Sequence, residues 1–390
     1  MGSTEPSALA FVRDRSSRPV EAAARQRYQA DLDRRIAEAA TVPGATLESI
    51  SSAARGAFPA LVAERLRATG SWMPSGSVAS EPVGRRACAH REARPGPELH
   101  AVEFEWYFTD RCAAALAGLF RSRSGPTLLL GAPTVARALR LRGASADLVD
   151  RSPFLGERFG SLLRGHARQD LRRPLPQLRS HAVVFFDAPW HEDHLHRWLW
   201  QASRAVARNG TIAFTLFGEL TRPAARAERQ RLLSLADSIG DVTLIRDALS
   251  YDTPAFERAA LSSAGVAIES PWRRGDLVIV SRAGATLSAP PVPYERPWRT
   301  WKIGDRVVKT SPRLARIGSA IEALRPSEAP LATVSRRRTS ALPIDAWSSR
   351  NVVVSLEGER VVAGAGGVAG CPPERRSRSR RVLSTWDTAV

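Results

Sequence analysis

The sequence predicts an α/β fold over residues 100–285 of 390, with a mostly parallel sheet flanked by helices. Three observations carry this. Short apolar runs alternate with helical patterns, as in a chain of strand–helix units. The run Val183-Val184-Phe185-Phe186 is apolar without alternation, which suits a strand buried on both faces. Several runs end in Gly131, Asp150 and Asp187, residue types that favour the turns between such strands and the next helix.

In chain order, residues 1–75 read as helical. Residues 21–40 are charged and Ala-rich, and Phe58, Leu61, Val62 and Leu66 fall on one helical face. Residues 76–99, rich in Pro, Gly and Ser, read as a linker. Strands are expected at 127–130, 146–149, 182–186, 211–216, 242–245 and 277–280. A helix is expected after Gly131, from Val135. Another follows Trp190, with Glu192 and Asp193 in its first turn and Arg204 and Arg208 in its last, matching the helix dipole. Its apolar stripe is Leu195, Trp198, Leu199, Ala202 and Val206, and Asn209-Gly210 is its expected stop. The next helix takes Thr221 as N-cap, Pro223 in its first turn and Gly240 as its stop. Beyond Pro290 the regularity fades. Residues 286–370 read as a basic extension and 371–390 as a disordered Arg-rich tail.

Composition narrows the function classes. Apolar residues make up 43% and charged residues 25%, as in a globular chain. No apolar run reaches the roughly 18 residues of a membrane span. The N-terminus lacks the apolar core of a secretory signal. Cys88, Cys112 and Cys371 are too scattered for a disulfide framework, so a cytoplasmic setting is expected. The net charge is +18, from 57 basic and 39 acidic residues, of which Lys302 and Lys309 are the only lysines. Half of that excess lies beyond residue 290. Trp298-Arg299-Thr300-Trp301-Lys302 interleaves aromatics with cations there, and Arg336-Arg337-Arg338 follows. A polyanion such as DNA or RNA is therefore a candidate partner of the extension. Oligomeric state leaves no trace in the sequence.

The chemistry-bearing residues sit at strand ends, where open α/β sheets bind ligands. Gly131-Ala132-Pro133-Thr134 follows the first strand. Asp150 lies about twenty residues later, the place of a carboxylate that accepts from ribose hydroxyls. Asp170 marks a third junction. Asp187-Ala188-Pro189-Trp190 follows the fourth strand.

That order resembles class I S-adenosylmethionine-dependent methyltransferases, and DAPW is similar to the DPPY/DPPW motif of their amino-group methylating members. The resemblance implies a Rossmann-like seven-stranded sheet with an antiparallel last strand at 277–280. It implies S-adenosyl-L-methionine as cofactor. No metal is expected, because the run from His191 to His196 is HEDHLH rather than HExxH and no third ligand group is evident. By the resemblance, Gly131, Ala132, Pro133 and Thr134 approach the methionine part, Asp150 the ribose and Asp170 the adenine. Asp187 and the Ala188 carbonyl accept from the target amino group, Pro189 shapes the turn, and Trp190 stacks on a base. Ala188 replaces the motif's first proline, and the loop holds one glycine where the family has several. The implied activity is methyl transfer to an exocyclic amino nitrogen of a nucleic-acid base or to a small amine. The layout is also similar to branched-chain polyamine synthases, which implies aminopropyl transfer to polyamines as the alternative. A catalytically inactive binding protein of this fold is the third reading. An acidic pocket around Asp187 favours the polyamine reading; a basic, aromatic-lined groove from Trp190 toward residues 298–309 favours nucleic acid.

Plainer roles stand beside these. Asp150, Asp170 and Asp187 are also good cap or turn residues, and Trp190 and Trp198 good core residues. Cys112 reads as a small core residue. His191 is expected to line the pocket. Glu103, Glu105 and Trp106 precede the first strand, where the fold often covers its cofactor.

Overall fold

The computed structural model describes residues 18–69, 96–103, 105–163, 166–175, 180–268, 270–295, 297–312, 314 and 344–354. The Arg336–338 run, the Arg-rich tail, Cys88, Cys371 and most of the expected linker lie outside these residues.

The main sheet has seven strands: β1 Thr127–Leu130, β2 Asp147–Asp150, β3 Ala167–Arg168, β4 His181–Phe186, β5 Val206–Phe217, β6 Asp241–Ser250 and β7 Arg274–Ala283. Their order is β3-β2-β1-β4-β5-β7-β6. β1 pairs in parallel with β2 and β4, β2 with β3, and β4 with β5. β7 runs antiparallel between β5 and β6, as expected. Leu128, Leu129 and Leu130 and Val183 to Phe186 are fully buried, so the two central strands are covered on both faces. The chain leaves β1 toward β2 and β3, then returns to place β4 on the other side of β1. The crevice at this reversal, at the carboxyl ends of β1 and β4, is where such sheets take ligands.

Helices cover both faces: α4 Asp110–Arg121, α5 Pro133–Arg140, α6 Leu155–Phe159, α7 Glu192–Ala205, α8 Ala225–Asp237 and α9 Ala255–Ser263, after the N-terminal α1 Arg18–Ala40, α2 Leu47–Ala53 and α3 Pro59–Ala68. Cys112 is buried in α4. The three N-terminal helices share a small core of Leu32, Ile36, Ile50, Val62 and Leu66, closed by Leu220 of the main domain. Ala63 adds a second contact, packing with Leu261 and Trp272. At this seam the backbones touch: a Cβ on Gly218 would lie 2.1 Å from the Arg55 carbonyl oxygen.

Two helix ends differ from expectation. α7 stops at Ala205 rather than at Asn209-Gly210. Val206 is already extended and pairs with His181, so Val206 and Arg208 belong to β5. Strand pairing to β4 outweighs the helical pattern there. α8 begins at Ala225, with no side-chain cap. Thr221 instead donates its hydroxyl to the Gly218 carbonyl at 2.8 Å.

Part of the basic extension is folded. β8 Arg299–Ile303, β9 Arg306–Thr310, β10 Ala346–Ser348 and β11 Val353–Val354 form a second, antiparallel sheet in the order β11-β10-β9-β8. The sequence reading expected no regular structure there. This sheet is tied to the segment before α4. His100 lies wholly buried, with Nε2 2.8 Å from the Trp347 carbonyl oxygen, and Val102 N–H donates to its Nδ1 at 3.1 Å. Burial pulls the imidazole down to about 3, so it is neutral and Nε2 is the donor.

Candidate functional site

A cavity of about 670 Å³, counting its open mouth, occupies the predicted crevice. Gly131, Pro133, Asp150, Asp170, Asp187 and Pro189 line it. Four strand ends, far apart in sequence, thus meet in one hollow. Ala132, Thr134, Ala188 and Trp190 are buried beside it and do not line it. Glu103, Glu105, Trp106 and Tyr107 form one wall. His194, one turn into α7, lines the cavity in place of the expected His191.

At the centre, the ends of β1 and β4 are laced together. Asp187 N–H donates to the Leu130 carbonyl at 3.1 Å, and Gly131 N–H to Val149 at 2.9 Å. Gly131 has φ +65, which favours glycine. A Cβ there would lie 2.7 Å from the Trp198 ring and 3.2 Å from the Asp187 carbonyl oxygen. The lone glycine is therefore required by packing of the protein on itself.

The cavity is rich in carboxyls: Glu103, Glu105, Asp150, Asp170, Asp187 and Glu295 against Arg151 and Arg172. Both arginines are already engaged. Arg172 grips Asp170 through Nε at 3.0 Å and reaches Glu295 at 3.3 Å. Arg151 joins Glu103 at 2.8 Å and Glu295 at 2.6 Å. Lys309 of β9 completes this chain on Glu103. Burial works against ionisation of Glu103, but Arg151 and Lys309 outweigh it and hold the carboxyl down to about 2. Burial likewise opposes Asp170, and the hydrogen bonds of Arg172 hold it below its ordinary value. These residues form an alternating chain, Lys309–Glu103–Arg151–Glu295–Arg172–Asp170, of no net charge.

Glu105, Asp150 and Asp187 remain, with no ion-pair partner among the described residues. Glu105 accepts from the Ser152 hydroxyl and the His100 N–H, both at 3.0 Å, and burial raises it. Asp150 accepts from Ser152 N–H at 2.7 Å through Oδ1. Burial raises it to about 6. Burial raises Asp187 to about 7, although Thr215 and Tyr251 donate to it. A cation lies within electrostatic reach of each, Arg158 for Glu105, Arg151 for Asp150 and Arg273 for Asp187, but none closes an ion pair, so these desolvated carboxyls still favour a positively charged occupant.

Trp190 packs away from the cavity. The Arg273 guanidinium lies 3.9 Å over its ring, and Tyr251 meets it edge-on at 5.5 Å. Sequence reasoning missed Arg151, Ser152, Gln169, Arg172 and Glu295 as lining residues, and placed Trp198 in the core alone. The acid–base alternation in Asp150-Arg151 and Asp170-Leu171-Arg172 was a readable signal for the first and fourth. Glu295, arriving from the extension, had none.

Three of the described cations of the extension form ion pairs within the chain. Lys302 pairs with Glu157, Lys309 with Glu103 and Arg350 with Glu98. No helix among the described residues is long and apolar enough to cross a membrane.

No protein-family profile matches the chain, and no curated protein matches it in sequence. Solved structures do. The branched-chain polyamine synthase of Thermus thermophilus, in complex with N4-aminopropylspermidine and 5'-methylthioadenosine, is 17% identical over 71% of this chain and 96% of that chain, with a TM-score of 0.51. Its C9 mutein in the same complex has the same identity and coverage, with a TM-score of 0.53. At that identity the likeness establishes fold: the chain has the Rossmann-like, mostly parallel seven-stranded sheet that its sequence predicted.

Proposed function

We propose that this protein transfers an alkyl group from an S-adenosyl sulfonium donor to an amine nitrogen, and that the reaction is aminopropyl transfer to a polyamine. The observation that carries this reading is the carboxyl surplus of the cavity. The arginines that line it are consumed by the neutral chain, which leaves Glu105, Asp150 and Asp187 as the lining carboxyls without an ion pair. A polyamine, or a donor lacking the methionine carboxylate, is complementary to them. A nucleic-acid strand would bring phosphates to them.

The residues present fit such a donor. Asp150 ends β2 with one oxygen tied to Ser152 and the other without a hydrogen bond, suited to accept from a ribose hydroxyl. Trp198 lines the cavity, and its buried indole N–H has no acceptor, leaving a donor unused at the wall. When bound, the donor supplies an electrophilic carbon on a sulfonium, so the protein's task is to place and desolvate the nucleophile. Asp187 lies against the β1–β4 crevice with one free oxygen. Burial places its ionisation near neutral pH, where a general base serves best, so it accepts a proton from the incoming amine. Glu105 and Asp150 hold the remaining positive charges of a polyamine in reach.

Methyl transfer from S-adenosyl-L-methionine to an amino group of DNA or RNA is the competing reading, resting on the Asp187–Trp190 turn and the net charge of +18. Calorimetric titration with S-adenosylmethionine and its decarboxylated form, on the wild type and Asp150→Ala, separates the two. Mass spectrometry of reactions with spermidine or with nucleic acid completes the comparison. Expected are tighter binding of the decarboxylated donor, at least tenfold loss in Asp150→Ala, and a product heavier by one aminopropyl group. Methylated nucleic acid with no aminopropyl product would overturn the polyamine reading. Binding of neither donor would remove both and leave a non-catalytic role.

A further inference from the structure

One oxygen of Asp187 is doubly engaged and the other is free. Oδ1 accepts from Thr215 Oγ1 at 2.8 Å and from the Tyr251 hydroxyl at 2.9 Å. Oδ2 accepts no hydrogen bond from the described residues, and the residue lines the cavity. The two donors come from different strands of the sheet. Thr215 is fully buried in β5. Tyr251 follows β6, is buried, and lies 4.6 Å from the Phe108 ring. Rotation of the carboxyl would break both bonds at once, so its free oxygen has a fixed direction.

Behind this pair stands an unusual arginine. The Arg273 guanidinium lies 3.9 Å over Trp190 and 4.2 Å over Trp106, with Tyr251 at 5.6 Å. It makes no hydrogen bond or ion pair among the described residues, and its Nε is buried. Stacking alone therefore sets where this charge sits. Trp272 meets Trp106 edge-on at 5.8 Å and buttresses the stack.

The groups facing Asp187 come from every element packed on it. Thr215 on β5, Tyr251 after β6 and Arg273 before β7 favour its carboxylate, and Asp150 after β2 disfavours it. Cys112 of α4 is also near and is raised, mainly by its own burial, so it stays a neutral thiol. Glu257 faces Arg273. Burial raises it to about 8, so it is protonated at neutral pH and does not cancel the arginine.

We propose that Tyr251 and Arg273 are positioning residues for proton acceptance at Asp187. Tyr251, with Thr215, fixes one carboxyl oxygen so that the other meets the acceptor amine. Arg273, clamped between Trp106 and Trp190, supplies a nearby positive charge that favours the carboxylate against its burial. Trp190 then serves as a strut for Arg273 and not as a stacking face for substrate. This inference rests on the reading of Asp187 as the proton acceptor.

The test is the pH dependence of kcat/KM in the wild type, Tyr251→Phe, Arg273→Met and Arg273→Lys, with Asp187→Asn as reference. A difference-infrared titration of the Asp187 carboxyl in the free protein reads the same group without turnover. Expected is an acid limb displaced toward alkaline pH by about one unit in Tyr251→Phe and Arg273→Met. Arg273→Lys should return it partway, and donor affinity should stay within about twofold throughout. A limb and a carboxyl titration that stay in place while kcat falls evenly at all pH values would overturn the proposal. Full activity in Asp187→Asn would instead remove the underlying reading. Should Arg273→Met fail to fold, Tyr251→Phe carries the same comparison alone.

Discussion

Replacing Asp187 by Asn should abolish transfer and make the protein more stable. The amide keeps an oxygen for the hydrogen bonds of Thr215 and Tyr251. It removes the charge that burial disfavours. Because the folded-state value is raised from 3.8 to about 7, this carboxyl's contribution to stability is full below 3.8. It is lost as pH rises through about 7. At about 1.4 kcal/mol per pH unit, the ionised group costs the wild type up to about 4 kcal/mol above pH 8 and about 1.5 kcal/mol at pH 5. The stability gap between Asp187→Asn and wild type should therefore widen by about 2.5 kcal/mol between pH 5 and pH 8, then level off. Glu257 also titrates in this range, but it does so in both proteins and cancels to first order, whereas Asp150 is coupled to Asp187 and shifts with it. Paired thermal melts give the readout, as a Tm difference about 3–5 °C larger at pH 8 than at pH 5. A gap of constant size across that range would refute the claim that Asp187 is buried as a strained charge.

Other outcomes follow from the same geometry. Glu257→Gln should be near neutral in stability only below about pH 4.5, stabilising by about 2 kcal/mol at pH 6 and by about 4.5 kcal/mol at pH 9, since burial raises this carboxyl from 4.5 to about 8, and paired melts across that range check it. Gly131→Ala places a methyl 2.7 Å from Trp198 at a positive φ, so a loss of about 1–3 kcal/mol in denaturant melts is expected, together with weaker donor binding by calorimetry. Lys309→Met removes one partner of a buried ion pair and should cost about 3–5 kcal/mol, with faster proteolysis of the second sheet.

What could be read from the sequence was the part with local cause. β1 spans residues 127–130 as predicted, because a β-branched threonine and three leucines sit between Pro126 and Gly131. Asp150, Asp170 and Asp187 were found because parallel strands bring their carboxyl ends to one side, whatever their spacing along the chain. Residues whose role depends on distant partners were not found. Glu295 and Lys309 are ordinary charges in sequence and reach the cavity through the second sheet. That sheet did leave one signal: Gly304-Asp305 joins β8 and β9 with a two-residue turn, and Gly304 has φ +61. Trp190 was given to the substrate because its motif position suggests it. The arginine that covers it is more than eighty residues away.

The contact of Gly218 with Arg55 bears on how this protein can change over time. Loops between elements usually absorb insertions and deletions, since they run over solvent. The loop after β5 has no such freedom. Its backbone rests on that of the N-terminal helices, and Arg222 within it donates to the Trp190 carbonyl at 2.8 Å. A side chain at position 218 would part the two layers, and an inserted residue would displace Arg222 from the turn that carries Asp187. The helices and the main sheet are thus bound to vary in length together or not at all, and a hybrid that joins the helices of one homologue to the sheet of another should fail at this seam first.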